Sequence, residues 1–549
     1  MARLDRLSPL KDVAQTGACI GREFSFELLA CVSPQSKSEL REALKELVFN
    51  ELIVARSTSS EASYTFKHAL VQDAAYSSLL KSRRQQLHAN IAKALQDNFA
   101  SQMELQPELM AQHLTAAGMM AEAVPHWLSA GLVAISKSAN EEAITHLTNG
   151  LDCLKVTEEG DQRDEQELLL RAMLGVAQFT ARGYGSPELG ENYENALTLA
   201  LRVGDTPYKS PAMFGVWAYH LMRVNHAKAT EVYAEAIEQA RVTGIPHEMT
   251  AALAAATTSS IFKGDARAGI DFSESSWKLY DKSSHGDLVA LFGQDVGLWC
   301  ADFGSWGVWL DGRSEEADRR YGDANRLARE LGHPLSLASG LVHTSLLYSM
   351  AGDVKRTLEY AEETIEVCEE VGIPARLVEA YIMKGWVLAK SGDVEEGIAL
   401  TQRGMDGWRG AGAEIARPWW LALQSEQYRL KGDLQTSLAV VDEALSITAK
   451  SGENLWLPEL MRLRAHLLLD MDAGQKNEAE VLLDGAMSAA GKQVSKFWQL
   501  RAASSLCELM VDAKDRDKAR QLLTPLIDGF SEGHQTPDLL NARQTLSSL

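Results

Sequence analysis

Proline is scarce: 14 residues in 549. Few β-branched runs occur either, so little stands in the way of helix. No stretch approaches the about 18 apolar residues of a membrane-spanning helix, which predicts no membrane partner. The segment Met1-Ala2-Arg3-Leu4-Asp5-Arg6-Leu7 has no apolar signal core. The six cysteines (Cys19, Cys31, Cys153, Cys300, Cys368 and Cys507) are far apart, with no C-x-x-C pair. That spacing argues against a zinc site and a disulfide framework, and for a reducing cytoplasm. Most are expected as small core residues.

Catalytic signatures are missing as well. A phosphate-binding G-x-x-x-x-G-K-[ST] loop needs two glycines before its lysine. The one Gly-Lys, Gly491-Lys492, is followed by Gln493 and has no glycine at the required distance. His247-Glu248 opens like a zinc-protease helix, but Ala251 stands where the second histidine is required. No G-x-S-x-G elbow occurs, and Gly183-Tyr184-Gly185-Ser186-Pro187 reads as an inter-helix loop. The sequence therefore predicts no catalytic residue, no metal ligand and no cofactor.

What is abundant is acid. The formal charge is −21. Residues 1–99 carry 13 basic and 11 acidic side chains, while the remaining 450 carry 41 and 64. An acidic body of this kind lacks the clustered cations that bind phosphate backbones, so no nucleic-acid partner is expected. It also disfavours an anionic membrane surface.

A repeat organises that body. Glycines at 264, 312, 352, 392, 432 and 474 are separated by 48, 40, 40, 40 and 42 residues. Between them fall Gly244-Ile245-Pro246, Gly332-His333-Pro334 and Gly372-Ile373-Pro374, then Gly412 with Pro418 and Gly452 with Pro458. Two punctuation marks per period define two helices. Gly352 supplies the positive φ that ends one helix, and Asp353 caps the next. Pro374 blocks continuation and suits a first helical turn. Leu358, Ala361, Ile365 and Cys368 form a single apolar stripe, which stacking of hairpins would bury. Small residues mark the helix crossings: Gly340, Ala361 and Thr364 in one repeat, then Gly385, Gly397 and Gly404 in the next. The pattern resembles the tetratricopeptide repeat with longer helices. It predicts an all-α solenoid of about ten hairpins from roughly residue 100 to the end. The 264–312 interval implies an extended helix or an inserted turn.

The first hundred residues break the period. Residues 8–18, 23–32 and 36–50 read as helices, Leu52 to Arg56 as a strand, Ser57 to Ser63 as a polar turn and Tyr64 to Phe66 as a return strand. Helices follow over 69–80 and 83–99. This is the order of a small winged-helix domain with a β-hairpin. Its third helix mixes Lys37, Arg41 and Lys45 with Glu39, Glu42 and Glu46, a weak face for DNA.

Particular segments carry a family resemblance. They are Gly21-Arg22-Glu23-Phe24-Ser25-Phe26-Glu27-Leu28-Leu29, Phe66 to Tyr76 (FKHALVQDAAY) and Arg83-Arg84-Gln85-Gln86-Leu87-His88. These resemble the winged-helix part of bacterial STAND signal-transduction ATPases. Gly385-Trp386, Glu395-Glu396-Gly397-Ile398, Trp408-Arg409 and Leu522-Leu523-Thr524-Pro525-Leu526 are similar to the repeat region of the same proteins. The resemblance implies three divisions. Residues 1–99 form a winged-helix-like domain ending an ATPase module. Residues 100–207 form irregular first hairpins, and 208–549 form the tetratricopeptide-like array. It also implies an ATPase module and often an adenylate/guanylate cyclase upstream in relatives. The chain would then be the C-terminal half of such a protein, either an internal-start fragment or a degraded paralogue. In related ATPases a histidine touches the β-phosphate of ADP; His68 holds the similar place, or caps the strand-to-helix junction.

Functionally, these readings predict a non-catalytic regulatory and protein-interaction module. Its concave groove would bind a partner protein, a peptide or a small ligand. Trp299, Trp306, Trp309, Tyr348, Tyr381 and Trp386 are the expected aromatic lining, with His343 and Arg417 as polar contacts. The alternative is a fragment of a MalT-like transcriptional regulator whose array binds an inducer. That alternative needs a DNA-binding helix, and residues 500–549 hold no basic one.

Overall fold

The computed structural model describes residues 8–57, 62–510 and 513–549. They form two compact units that divide between Leu174 and Gly175.

The first unit opens with α1 (Ser8–Ile20), β1 (Glu23–Ser25), α2 (Phe26–Val32), α3 (Lys37–Phe49), β2 (Ile53–Ser57) and β3 (Ala62–Phe66). The strands make one antiparallel sheet in the order β1-β3-β2, with Phe24 opposite Tyr64 and Ile53 opposite Phe66. Residues 23–25, expected to open a helix, are instead strand. Ser25 ends it and caps α2 by accepting from the Leu28 amide at 3.2 Å. Phe24 faces the core and stacks on Tyr64, which a helix starting at 23 would not permit. Of the expected turn, residues 58–61 lie outside the described residues. Ser36 and Glu39 form a reciprocal capping box at the start of α3.

Six helices continue the unit: α4 (Ala69–Ser77), α5 (Lys81–Asn98), α6 (Ala100–Leu105), α7 (Pro107–Ala117), α8 (Met120–Ser136) and α9 (Asn140–Leu154). The expected boundary at 99 is not a break, because one apolar core runs across it. Cys19 and Leu28 share that core with Leu87 and Ile91 of α5 and with Trp127 of α8. Helix α10 (Asp161–Arg182) spans the division between the units.

The second unit is the helical array. It starts with α11 (Pro187–Val203), α12 (Lys209–Met222), α13 (His226–Thr243), α14 (Pro246–Lys263) and α15 (Ala266–Leu279). A short 3-10 turn and α16 (His285–Phe292) are inserted next, which accounts for the long 264–312 interval. Then follow α17 (Val296–Leu310), α18 (Ser314–Leu331), α19 (Pro334–Ala351), α20 (Val354–Val371), α21 (Pro374–Lys390) and α22 (Val394–Gly410). The array ends with α23 (Arg417–Lys431), α24 (Leu434–Ser451), α25 (Leu457–Met471), α26 (Lys476–Lys492), α27 (Lys496–Glu508), α28 (Ala513–Asp528) and α29 (Pro537–Ser548).

The punctuation works as its chemistry dictates. Gly352 takes φ 72° and ends α19, and Asp353 accepts from the Arg356 amide at 3.0 Å. Gly372 (φ 79°) ends α20, and Pro374 starts α21. Gly474 is the exception. It lies in a 3-10 turn after Asp472 and does not end a helix. At the α21–α22 crossing, a Cβ on Gly385 would lie 2.6 Å from the Gly397 carbonyl, so the two backbones touch.

The helices alternate in burial. Those at α14, α17, α19, α21 and α23 are buried nearly all round, whereas α15, α18, α20, α22 and α24 bury one stripe. A stripe suffices for a helix that packs only on sequence neighbours. All-round burial needs a further surface, and later hairpins of the same array supply it. The Leu455 amide donates to the Phe262 carbonyl at 3.2 Å, and the Glu414 and Ile415 amides donate to that of Met222 at 2.8 and 3.1 Å. Arg223 reaches the Gly412 carbonyl, 189 residues on, at 3.1 Å. The array thus turns back and packs on itself.

Candidate functional site

That closure decides the fate of the expected groove. Trp299, Trp306, Trp309, Tyr348, Trp386 and His343 are all buried. They line no open surface. Trp306 lies edge-on to Trp456, with ring centroids 6.2 Å apart; Trp456 stacks on Trp419 at 5.0 Å. Trp309 stacks on Phe497 at 5.0 Å. Aromatics from hairpins far apart in sequence therefore fill the space between them. Packing of this kind is core formation, with each ring removing a large apolar area from water. Tyr381 and Arg417 are half-buried and already engaged. The Tyr381 hydroxyl donates to Glu369 at 3.3 Å beneath the Arg403 guanidinium. Arg417 pairs with Glu414 at 3.3 Å and with Glu443.

His343 belongs to a buried polar node. Its Nδ1 lies 3.3 Å from the Asp302 carboxyl. Burial pushes the Asp302 carboxyl well up, and burial together with the Arg376 charge pushes His343 well down. Tyr321 donates to the Asp302 carbonyl at 2.9 Å, and Arg376 holds Glu379 at 2.7 Å and Ser339 at 3.1 Å. A second node joins two loops. Glu453 is fully buried and accepts from Trp456 Nε1 at 2.6 Å and from the Ala416 amide at 3.0 Å. Ala416 has φ 60°, the left-handed region that non-glycine residues avoid. Burial raises the Glu453 carboxyl to about 8. Both nodes are shielded from solutes, so their chemistry is structural.

The first unit presents a different face. His68 stands at the N-cap position of α4, yet its side chain makes no capping bond. Lys67, His68, Ala69 and Leu70 are exposed in succession. Leu70 is 81% exposed and Phe49, at the end of α3, 86%. Both lie at one end of the sheet, where the Lys67 amide donates to the Leu52 carbonyl and its ammonium meets Glu51 at 2.9 Å. On α3 the cations are engaged internally. Lys45 pairs with Glu42, Lys37 with Glu27, and Arg41 lies over the Phe26 ring.

Two concavities carry no signal in the sequence reading. One, of about 580 Å³, lies among α6, α7, α8 and α9. The other, of about 280 Å³, lies between α15 and α18 beside the half-exposed Trp277. Each is assembled from residues tens of positions apart, without a local motif.

No family model matches the chain. It is 26% identical over 515 residues to an uncharacterised protein of Rhizobium meliloti (strain 1021), covering 92% of this chain. The chain spans about half the length of that relative, 49%. Among solved structures it is similar to a Rap protein complexed with competence and sporulation factor. That match has a TM-score of 0.44 and 14% identity, over 74% of this chain and 99% of the other. A Rap conjugation gene regulator of the plasmid pLS20, in complex with the Phr* peptide, matches with a TM-score of 0.41 and 16% identity. It covers 67% of this chain and 95% of the other. A STAND protein of Pyrococcus horikoshii with a tetratricopeptide repeat sensor matches at 0.36 and 10%, over 89% and 65%.

Proposed function

We propose that the chain is a non-catalytic regulatory module of a larger signalling protein. Its head, which we read as a winged helix from the order α1-β1-α2-α3-β2-β3, docks on a nucleotide-binding module. Its helical array serves as the sensor and protein-interaction part. The observation that carries this reading is the exposed run Lys67 to Leu70, together with the exposed Phe49 at the end of α3. Two large apolar side chains left in water at one end of a small sheet mark a contact surface. The His68 imidazole on that surface has no capping duty. Its N–H is free to donate to an acceptor such as a phosphate. The relative of twice this length supports a longer protein containing such a chain.

The array transmits by rigidity. Because its interior is filled, a partner meets its outer surface and clefts, and binding there biases how the module docks. The test is to express the chain together with the coding sequence immediately upstream and to quantify the ADP that copurifies. His68→Ala lowers the retained ADP at unchanged thermal stability. Retention unaffected by His68→Ala, or an upstream product without nucleotide affinity, overturns the proposal.

A further inference from the structure

The cleft between α15 and α18 is built around a fixed aromatic ring. Trp277 lines it and keeps 44% of its surface in water. Tyr280, outside the lining, stacks on the indole with ring centroids 5.1 Å apart and planes 6° from parallel. Tyr280 is anchored in turn. Its hydroxyl donates to the buried Asp295 carboxyl at 2.8 Å, and Gly297 makes room for its ring, which a Cβ there would overlap. Ser273, one turn before Trp277, is seated the same way. It donates to the Cys300 carbonyl at 3.2 Å, and a Cβ on Gly304 would overlap its hydroxyl. An indole backed by a second ring and half-open to water is a prepared stacking platform.

The polar groups around this platform carry both signs. Glu274 and Asp323 offer acceptor oxygens, and Lys278 and Arg320 offer N–H donors. Three of the four are held in place. Arg320 donates to Glu274 at 2.9 Å and to Glu316 at 2.6 Å, and Arg326 donates to Asp323 at 2.6 Å. Lys278 stands exposed at the rim. An anionic guest would meet the two carboxylates, and a cationic guest the ammonium and the guanidinium. A neutral guest that presents both donors and acceptors satisfies all four. The volume, about 280 Å³, lies just below the range of about 300–1,000 Å³ of drug-sized pockets. It equals the share of about nine liquid waters, enough for one ring or two fused rings.

We propose that this cleft binds a nucleobase, free or as its nucleoside. A nucleobase combines a flat face with donors and acceptors along one edge, the chemistry that the lining complements. Its face stacks on Trp277. Its N–H groups donate to Glu274 and Asp323, and its carbonyl or ring-nitrogen acceptors take N–H groups of Lys278 and Arg320. The net charge of −21 disfavours a nucleic-acid chain as the source of the base. The inference does not depend on the nucleotide-coupled reading of His68.

Calorimetric titration of the full chain tests it, with adenine, hypoxanthine, cytosine and uracil as probes, each beside its ribonucleoside. Comparison within each pair distinguishes free base from nucleoside. Toluene, benzoate and benzylammonium serve as rings without a polar edge, with an anion and with a cation. At least one base or nucleoside binds, and the three control rings bind roughly tenfold or more weakly. Trp277→Ala weakens that binding roughly tenfold at an unchanged melting temperature, and Trp277→Phe, which keeps a stacking face, restores most of it. Asp323→Asn replaces one acceptor oxygen by a donor and changes the ranking of the four bases. The proposal is overturned if no base or nucleoside binds, if a control ring binds as tightly as the best of them, or if binding survives Trp277→Ala undiminished.

Discussion

Gly185 and Gly412 touch backbone to backbone. A Cβ on Gly185 would lie 2.5 Å from the Gly412 carbonyl carbon, and one on Gly412 would lie 2.3 Å from the Gly185 oxygen. This contact joins the loop before α11 to the loop after α22, and Arg223 and Met222 bind the same second loop. Gly185 has an ordinary φ, so its replacement reports the contact without left-handed strain. Gly185→Ala should destabilise the array by about 1–3 kcal/mol, as overpacking does. Gly410, within α22, faces open space, and Gly410→Ala should be neutral or slightly stabilising. Urea unfolding of the two variants measures the difference.

The tryptophans expected in a groove behave as core. Trp306→Ala and Trp456→Ala should each cost about 3–5 kcal/mol, the range for removing a buried aromatic. Trp277, with nearly half its surface in water, should change stability little. If the groove reading were right, Trp306→Ala would instead leave stability near that of the parent.

Two buried glutamates give opposite pH dependences. The Glu453 carboxyl, raised to about 8 by burial, is neutral in the folded state and charged in the unfolded one over the range between. The folded chain then binds the extra proton, so stability falls as pH rises from about 4.5 to 8. Glu453→Gln keeps an oxygen acceptor for Trp456 and Ala416 and should flatten that limb. For Glu459, burial opposes ionisation, but the Arg462 and Arg501 charges outweigh it and lower the carboxyl to about 2. Its contribution is lost as pH falls from about 4.5 towards 2. Midpoints of denaturant unfolding across pH 3 to 9 check both signs, with Glu453→Gln as the control.

His68→Ala and Leu70→Glu should leave the melting temperature of the chain unchanged, because both side chains project into water and neither caps a helix. A loss of several degrees in either variant would make these residues structural and remove the docking surface.

The elements were legible wherever a local rule governs them. The forty-residue period, the helix-ending glycines and the prolines at first turns are read directly from spacing, and the small residues at the Gly385–Gly397 crossing follow the same logic. Residues 23–25 differ from the expected helix because Phe24 and Phe26 fit a helical stripe as well as they fit a strand followed by a cap. The burial of the aromatics is not legible in the sequence for a deeper reason. A repeat reveals what packs on its neighbours, but nothing in one period states the curvature with which periods accumulate. Trp306 and Trp456 look alike in sequence whether they face solvent or one another. The cleft beside Trp277 was invisible for the same reason, its lining being drawn from three helices.

The central claim is that the array closes on itself through its backbone. Amide hydrogen exchange at Ile415 and Leu455 tests it most directly, since both lie in connecting segments and donate to carbonyls of distant hairpins, Met222 and Phe262. The structure predicts protection comparable to that of the flanking helices, lost together with the global unfolding transition. Exchange at the rate of open loops would contradict it, and would return the tryptophans to an accessible surface.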